Sequence, residues 1–287
     1  MKFLVTGANG QLGKEWVHFL KDGNYPFSQY RSGDLDITDQ EAVIKVLKKE
    51  RPDVVLNCAA YTKVDEAENN PEKAFLVNKT GVQNLLMAAE QMNLMLVHYS
   101  TDYVFPGKAV DEKNYPAGYT EDASTDPVNV YGSSKRAGEK LLEKSSANWL
   151  LIRVSWLCGQ FGSNFVTKIL QLAKERDQLK VVNDQMGSPS FTFDVVSKSF
   201  QLITEECRGK FHVSSGGKIS WAEFAKEILH QIKSETVVYE VPSSEFPVIA
   251  KRPSFSLLSK EKLITYGLNP VDWKDGLSKL LHQIKNR

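Results

Sequence analysis

The sequence predicts an α/β protein: a doubly wound parallel sheet followed by a smaller mixed α/β domain. Three observations carry that expectation. Short apolar runs alternate with helical stretches through the first half, the pattern of parallel strands joined by right-handed crossovers. The chain opens on an apolar run that ends in a glycine-rich turn and continues into an amphipathic helix. Beyond about residue 155 the elements shorten and the alternation breaks. We expect a first domain over residues 1–155 and a second over 156–287, with part of 178–213 packing back on the first.

Composition sets the class. The 287 residues suit one large or two modest domains. With 41% hydrophobic and 25% charged residues, the chain has the make-up of a soluble globular enzyme. Its 36 basic and 35 acidic residues leave a formal charge of +1, so no overall field draws it to nucleic acid or to an acidic membrane. Cys58, Cys158 and Cys207 are scattered without a C-x-x-C and read as buried thiols in a reducing compartment. The N-terminus shows no basic segment ahead of a long apolar one, and no later run approaches membrane-spanning length. The expected location is cytoplasmic. His18, His98, His212, His230 and His282 form no metal-ligand spacing and are expected to be structural or surface residues.

The elements follow in order. Lys2-Phe3-Leu4-Val5-Thr6 reads as a buried parallel strand. It runs into Thr6-Gly7-Ala8-Asn9-Gly10-Gln11-Leu12-Gly13 and a helix carrying Trp16, Val17, Phe19 and Leu20. Glycines there let the backbone approach a pyrophosphate, and the helix start supplies free N–H groups and the positive end of the dipole. The spacing is G-x-x-G-x-x-G rather than G-x-G-x-x-G. The second strand is sought in Tyr25–Arg31. Its end carries Gln29, Tyr30 and Arg31 where many NAD enzymes have an acidic residue, and Arg31 could meet a 2′-phosphate, which leans toward NADPH.

Thr38 with Glu41 three residues later matches a capping box for a helix to about Glu50. Asp53–Asn57 is the third strand, and it ends in Cys58-Ala59-Ala60-Tyr61, small enough to let a cofactor lie close. Asn70-Pro71 opens a helix to about Met92. Met95–Ser100 is the fourth strand, ending at Thr101-Asp102. Residues 108–125 read as a polar loop, after which Asp126-Pro127 is expected to start the next helix. Gly132, Ala137 and Gly138 on that helix imply close packing against a flat surface, the sheet or a cofactor. Trp149–Val154 is the fifth strand.

A helix over Asn164–Glu175, strands near Lys180–Val182 and Phe211–Val213, and a helix from Asp194 are expected next. Ser220 with Glu223 caps a helix to Gln231, Val237–Tyr239 is a strand, and helices after Ser259 and Asp272 finish the chain. Ligands of such sheets bind beyond the carboxyl ends of the strands. Gly7–Gly13, Ala59–Tyr61 and Thr101–Asp102 all fall there, which is the main indication of a site.

Tyr131 and Lys135 are four residues apart, on one helical face. Taken alone, Tyr-x-x-x-Lys describes many surface pairs. A nearby ammonium favours the phenolate, so Lys135 is expected to lower Tyr131 from about 10 and make it a usable general acid or base.

The glycine motif, the strand-end threonine and Tyr131-x-x-x-Lys135 together resemble the extended short-chain dehydrogenase/reductases. Narrower blocks resemble the dTDP-4-dehydrorhamnose reductases within them: Asn57-Cys58-Ala59-Ala60-Tyr61-Thr62-Lys63-Val64-Asp65-Glu66-Ala67-Glu68, His98–Phe105, Asn129–Gly132, Arg153–Trp156, Asn183–Pro189 and Arg252-Pro253. The resemblance covers essentially the whole chain. Departures stand at Cys58, Cys158 and Ser190-Phe191, and none removes a catalytic group.

The resemblance implies a Rossmann-like first domain, and reduction of the 4-keto group of dTDP-4-dehydro-L-rhamnose by NADPH or NADH, the last step of dTDP-rhamnose synthesis for surface polysaccharide. It implies Tyr131 as proton donor, Lys135 on the cofactor ribose, and Thr101 on the substrate oxygen. Asp102 and Trp156 match positions that meet the sugar nucleotide, with Asn164, Gln185 and Arg252 as further candidates at its diphosphate. Asp34 and Leu35 match a position near the adenine, and Ala60, Tyr61 and Thr62 one along the cofactor. Some relatives pair through a metal at the subunit interface, which leaves Mg2+ and a homodimer open, although no carboxylate cluster marks a metal site. Two rivals share these residues: another nucleotide-sugar reductase or epimerase, and a non-catalytic cofactor-binding subunit resembling the regulatory subunit of methionine adenosyltransferase.

Overall fold

The computed structural model describes residues 1–246 and 248–287. The chain begins β1 (Phe3–Thr6), α1 (Gln11–Asp22), β2 (Phe27–Tyr30), α2 (Gln40–Glu50) and β3 (Val54–Asn57). Helices α3 (Val64–Asn69), α4 (Pro71–Phe75) and α5 (Val82–Met92) lead to β4 (Met95–Thr101). A short α6 (Asp111–Asn114) precedes α7 (Val130–Lys144), β5 (Asn148–Val154) and β6 (Leu157–Cys158). Then come α8 (Phe165–Glu175), β7 (Gln178–Val182), β8 (Met186–Gly187), β9 (Ser190–Phe191), α9 (Thr192–Thr204), β10 (Gly209–His212) and β11 (Ile219–Ser220). The chain closes with α10 (Trp221–Gln231), β12 (Val237–Val241), α11 (Glu261–Thr265) and α12 (Trp273–Lys285).

Six strands form one parallel sheet in the order β10-β5-β4-β3-β1-β2. Because strand side chains alternate, β1 feeds two cores. Phe3 and Val5 join Trp16, Val195 and Phe211 on the face covered by α1 and α9. Leu4 joins Val43, Leu85, Leu96 and Leu142 on the face covered by α2, α5 and α7. Burial on both faces explains why these strands read as continuous apolar runs. A third core, with Phe191, Phe224, Ile228 and Leu277, is built from the chain beyond β5.

The structure corrects several local expectations. Thr38 does not cap α2. Its hydroxyl donates to Asp36, and Asp39 accepts from the Ala42 N–H at 3.0 Å instead. A carboxylate at that place also meets the positive end of the helix dipole. Helix α7 starts at Val130 rather than at Asp126-Pro127, because Asn129 accepts from the Gly132 N–H at 2.8 Å. The stretch from Pro71 to Met92 is helical but contains a π-helical turn over Leu76–Gly81. Within 178–213, α9 packs on α1 and β10 extends the main sheet beside β5, whereas β7 pairs with β12 away from it. The Ser220–Glu223 box is present as read.

Gly132 and Gly138 of α7 lie close against backbone carbonyls. A Cβ on Gly132 would lie 2.2 Å from the Tyr103 carbonyl, and one on Gly138 would lie 2.3 Å from that of Asn78 in the π-helical turn. These approaches bring α7 against the turn after β4 and against the π-helical turn that precedes that strand.

Candidate active site

The glycine turn sits at the carboxyl end of β1. Gly7 has a left-handed φ of +62°, which favours glycine, and a Cβ there would lie 2.6 Å from the Ala59 nitrogen. Gly10 precedes α1 without any side-chain capping bond, so the first-turn N–H groups of this helix face outward without a side-chain acceptor. A diphosphate fits that end by charge and by hydrogen bonding. Asn9 is exposed at the tip, while Leu12 and Gly13 are buried behind it. The Gln11 side chain joins α1 to the chain beyond β5, donating to the Leu157 carbonyl (3.0 Å) and accepting from Asn164 Nδ2 (2.6 Å).

Arg31 and Asp34 stand just past β2, exposed, with Nε 2.9 Å from Oδ2. Leu35 is buried in the core with Ile37 and Val43, so its side chain packs there. Ala59 and Ala60 are partly buried beside the glycine turn, and Thr62 is exposed. Tyr61 is held by Asn78, whose Oδ1 accepts from its N–H (2.9 Å) and whose Nδ2 donates to its carbonyl (3.0 Å). Asn78 Nδ2 also donates to Ser134 on α7 (2.9 Å), so the π-helical turn clamps the loop after β3 to α7.

Tyr131, in the first turn of α7, lies edge-on to Tyr103 with ring centroids 5.6 Å apart. Burial raises its phenol above the ordinary 10, with the Thr101 hydroxyl pulling the other way and the Asp102 carboxyl adding to the rise. Lys135 is buried, and its Nζ donates to the Tyr99 carbonyl at 2.6 Å. Burial pushes Lys135 down to about 8. The expected lowering of Tyr131 by Lys135 is therefore overturned. The ammonium is directed at β4, desolvation dominates, and Tyr131 is a neutral phenol that can give a proton.

Thr101 ends β4, donating from Oγ1 to Asp102 Oδ1 (2.9 Å) and accepting from the Tyr103 N–H (3.2 Å). Asp102 is buried, and its Oδ2 has no partner among the described residues. Burial pushes it up to about 7, with the Thr101 hydroxyl holding it down. Thr101, Asp102 and Tyr131 thus form one electrostatically linked group at the carboxyl end of the sheet.

The second-domain candidates separate. Trp156 follows β5 at a positive φ of 46° and stacks on Trp221 with centroids 3.6 Å apart, packing against the third core on a strained backbone. Asn164 caps α8, accepting from the Thr167 N–H (3.1 Å) while its amide donates to Gln11 and to the Gly159 carbonyl, so its polar atoms are taken up inside the protein. Gln185 and Arg252 line a cleft of about 1080 Å3 with Phe165, Trp221, Tyr239 and Lys251. None of Thr101, Tyr131 and Lys135 lines that cleft. Arg252 Nη2 meets Asp65 Oδ2 at 2.5 Å.

Sequence reasoning missed the supports. Asp65 also accepts from the Ala250 N–H (3.0 Å), and Glu68 accepts from the Val130 N–H (2.8 Å) at the start of α7. Asn129 Nδ2 donates to the Lys251 carbonyl (2.9 Å). The block Asn57–Glu68 therefore fixes α7 and the 250–252 segment from below. Among the described residues no group of three or more His, Cys, Asp or Glu could hold a metal ion, which gives Mg2+ no support. Nor is any helix there long and apolar enough to cross a membrane.

Comparison with known proteins adds to this geometry. The family described as RmlD substrate binding domain matches residues 1–286. The spore coat polysaccharide biosynthesis protein SpsK of Bacillus subtilis is 37% identical, over 98% of this chain and 97% of that one. A dTDP-4-dehydrorhamnose reductase of Aggregatibacter actinomycetemcomitans is 37% identical, over 97% and 98%. The crystal structure of dTDP-4-dehydrorhamnose reductase from Bacillus anthracis in complex with NADP superposes with a TM-score of 0.93 at 37% identity, covering 98% of this chain and 99% of that one.

Proposed function

The chain belongs to the RmlD substrate binding domain family of dTDP-4-dehydrorhamnose reductases, and from that premise we propose that it reduces dTDP-4-dehydro-L-rhamnose to dTDP-L-rhamnose with NADPH. The observation that carries the reading is the gathering of Thr101, Tyr131 and Lys135 at the carboxyl end of the sheet that bears the glycine turn. When bound, a nicotinamide supplies the hydride. The protein's task is to place it and to deliver a proton.

In this reading the N–H groups opening α1 and the Gly7–Gly13 turn hold the diphosphate. Arg31, Asp34 and the backbone at Leu35 border the adenosine end, and Ala59–Thr62 lie along the cofactor. The side chain of Lys135 reaches the ribose hydroxyls. The Thr101 hydroxyl, turned from Asp102 Oδ1 to the substrate, donates to the carbonyl oxygen, and Tyr131 gives that oxygen a proton as negative charge develops there. Protonated Asp102 can donate a hydrogen bond to the sugar, which an ionised carboxylate cannot. Gln185 and Arg252 line the cleft that takes the nucleotide diphosphate, where the Arg252 fork suits phosphate. Use for surface polysaccharide and a cytoplasmic location belong to the same reading. The three free cysteines support the second.

The test is a spectrophotometric assay with dTDP-4-dehydro-L-rhamnose and each nicotinamide cofactor. Oxidation of NADPH that depends on this sugar, with dTDP-L-rhamnose as product, is the expected result. NADPH binding without sugar-dependent oxidation would favour the non-catalytic subunit instead.

A further inference from the structure

Lys135 has a neighbour, His98, that the sequence marked only as a structural or surface histidine. Thr6, Asn57 and His98 stand side by side on β1, β3 and β4, since Thr6 pairs in register with Asn57, and Asn57 with His98. Residues in register on parallel strands point to one face. Thr6 Oγ1 donates to Asn57 Oδ1 at 2.8 Å, and the Ala59 backbone N–H donates to the same oxygen at 3.3 Å. A backbone N–H can only donate, so it fixes which end of the Asn57 amide is oxygen.

Asn57 Nδ2 therefore donates to His98 Nδ1, 3.0 Å away. His98 is fully buried, and burial together with the Lys135 charge keeps its pKa well below the ordinary value, so the ring is neutral. A neutral imidazole carries one N–H, and with Nδ1 accepting, that proton is on Nε2. Nε2 lies 3.4 Å from Lys135 Nζ. An N–H directed at an amine makes a hydrogen bond, but directed at an ammonium it repels. The other groups facing Lys135 are Cys58 beyond β3 and Glu139 one turn along α7, both of which favour its charged form. Glu139 is itself paired with Arg153 at 2.9 Å.

We propose that His98 is a positioning residue for Lys135: locked by Asn57 with its proton on Nε2, it aims the Lys135 amine and opposes its charging until a ligand's hydroxyls take over as partner. The inference rests on the reading that Lys135 serves the cofactor ribose. His98 does not relay protons onward. Thr6 and Asn57 behind it are buried, and the lone pair of the amide Nδ2 is delocalised into the carbonyl and does not accept a proton.

Nitrogen NMR of the imidazoles in the ligand-free full chain tests it directly. His98 should show the Nε2–H tautomer and should not titrate from about pH 6 to about pH 9. An Nδ1–H tautomer or an imidazolium would overturn the proposal. The second measurement follows the Lys135 Cε resonance against pH. In His98→Leu the midpoint should rise by about one unit, because the opposing N–H is gone. A midpoint unmoved or lowered would mean that His98 only fills space. Should His98→Leu not fold, the tautomer alone decides. Both measurements use the ligand-free chain, so they decide the inference whether or not the chain turns over a sugar nucleotide. Loss of turnover alone would count against the proposed function instead.

Discussion

Tyr131 is kept neutral by burial, and Asp102 beside it is pushed up to about 7 for the same reason. The second shift has a consequence for stability. Between its ordinary value near 4 and about 7, the native Asp102 holds its proton more tightly than the unfolded chain does. The stability it contributes is therefore full below about pH 4 and is lost as pH rises through about 7. Asparagine does not ionise. The difference in unfolding free energy, Asp102→Asn minus wild type, should become more favourable by about 1–3 kcal/mol from about pH 5 to about pH 8. Thermal or urea unfolding at the two pH values reads this directly, and a difference independent of pH would contradict the buried, unpaired carboxyl. Arg31 carries the cofactor preference in our reading. Arg31→Ala should weaken NADPH binding more than NADH binding, since a guanidinium can pair with the 2′-phosphate. Equal weakening in fluorescence titrations would remove that role.

At the scale of elements, what could be read in advance depended on how local the signal was. The glycine turn, the Ser220–Glu223 box and the Tyr131–Lys135 spacing lie within a few residues, and the strands carry their burial in composition. The supports of α7 are not local. Glu68 reaches Val130, and Asn78 reaches Tyr61 and Ser134, through pairings that only the folded sheet creates. The direction of Lys135 Nζ was illegible for the same reason, because its partner is a carbonyl on β4. Thr38–Glu41 fitted a capping pattern, yet Asp36 took the Thr38 hydroxyl and Asp39 was one residue nearer the helix. The closeness of α7 to Asn78 is itself testable. Gly138→Ala puts a methyl 2.3 Å from a backbone carbonyl, which cannot swing aside. We expect destabilisation of about 1–3 kcal/mol by denaturant unfolding, with a fall in turnover as Tyr131 moves with the helix. A neutral substitution would show that the π-helical turn yields.

Across the whole molecule, polar contacts between stretches distant in the chain hold the elements around the site in place. Gln11 on α1 binds Leu157 and Asn164, Asp65 on α3 binds Ala250 and Arg252, and Arg153 at the end of β5 pairs with Glu139 on α7 while donating to the Glu121 carbonyl. Removing one partner of a buried ion pair leaves an uncompensated charge, so Glu139→Ala should cost about 3–5 kcal/mol of stability by chemical unfolding. A loss well below that would mean that Arg153 finds other acceptors. The placement of β10 beside β5 was foreshadowed only as a segment packing back, because a parallel strand supplied from far along the chain leaves no mark of its neighbour in its own residues. The central claim is that this assembly uses Tyr131 as the proton donor of a ketone reduction. Single-turnover reduction of dTDP-4-dehydro-L-rhamnose, with wild type and Tyr131→Phe both saturated with NADPH, tests it most directly. The account predicts unchanged cofactor binding and a rate at least about a hundredfold lower in the variant. Comparable rates in the two proteins would contradict it.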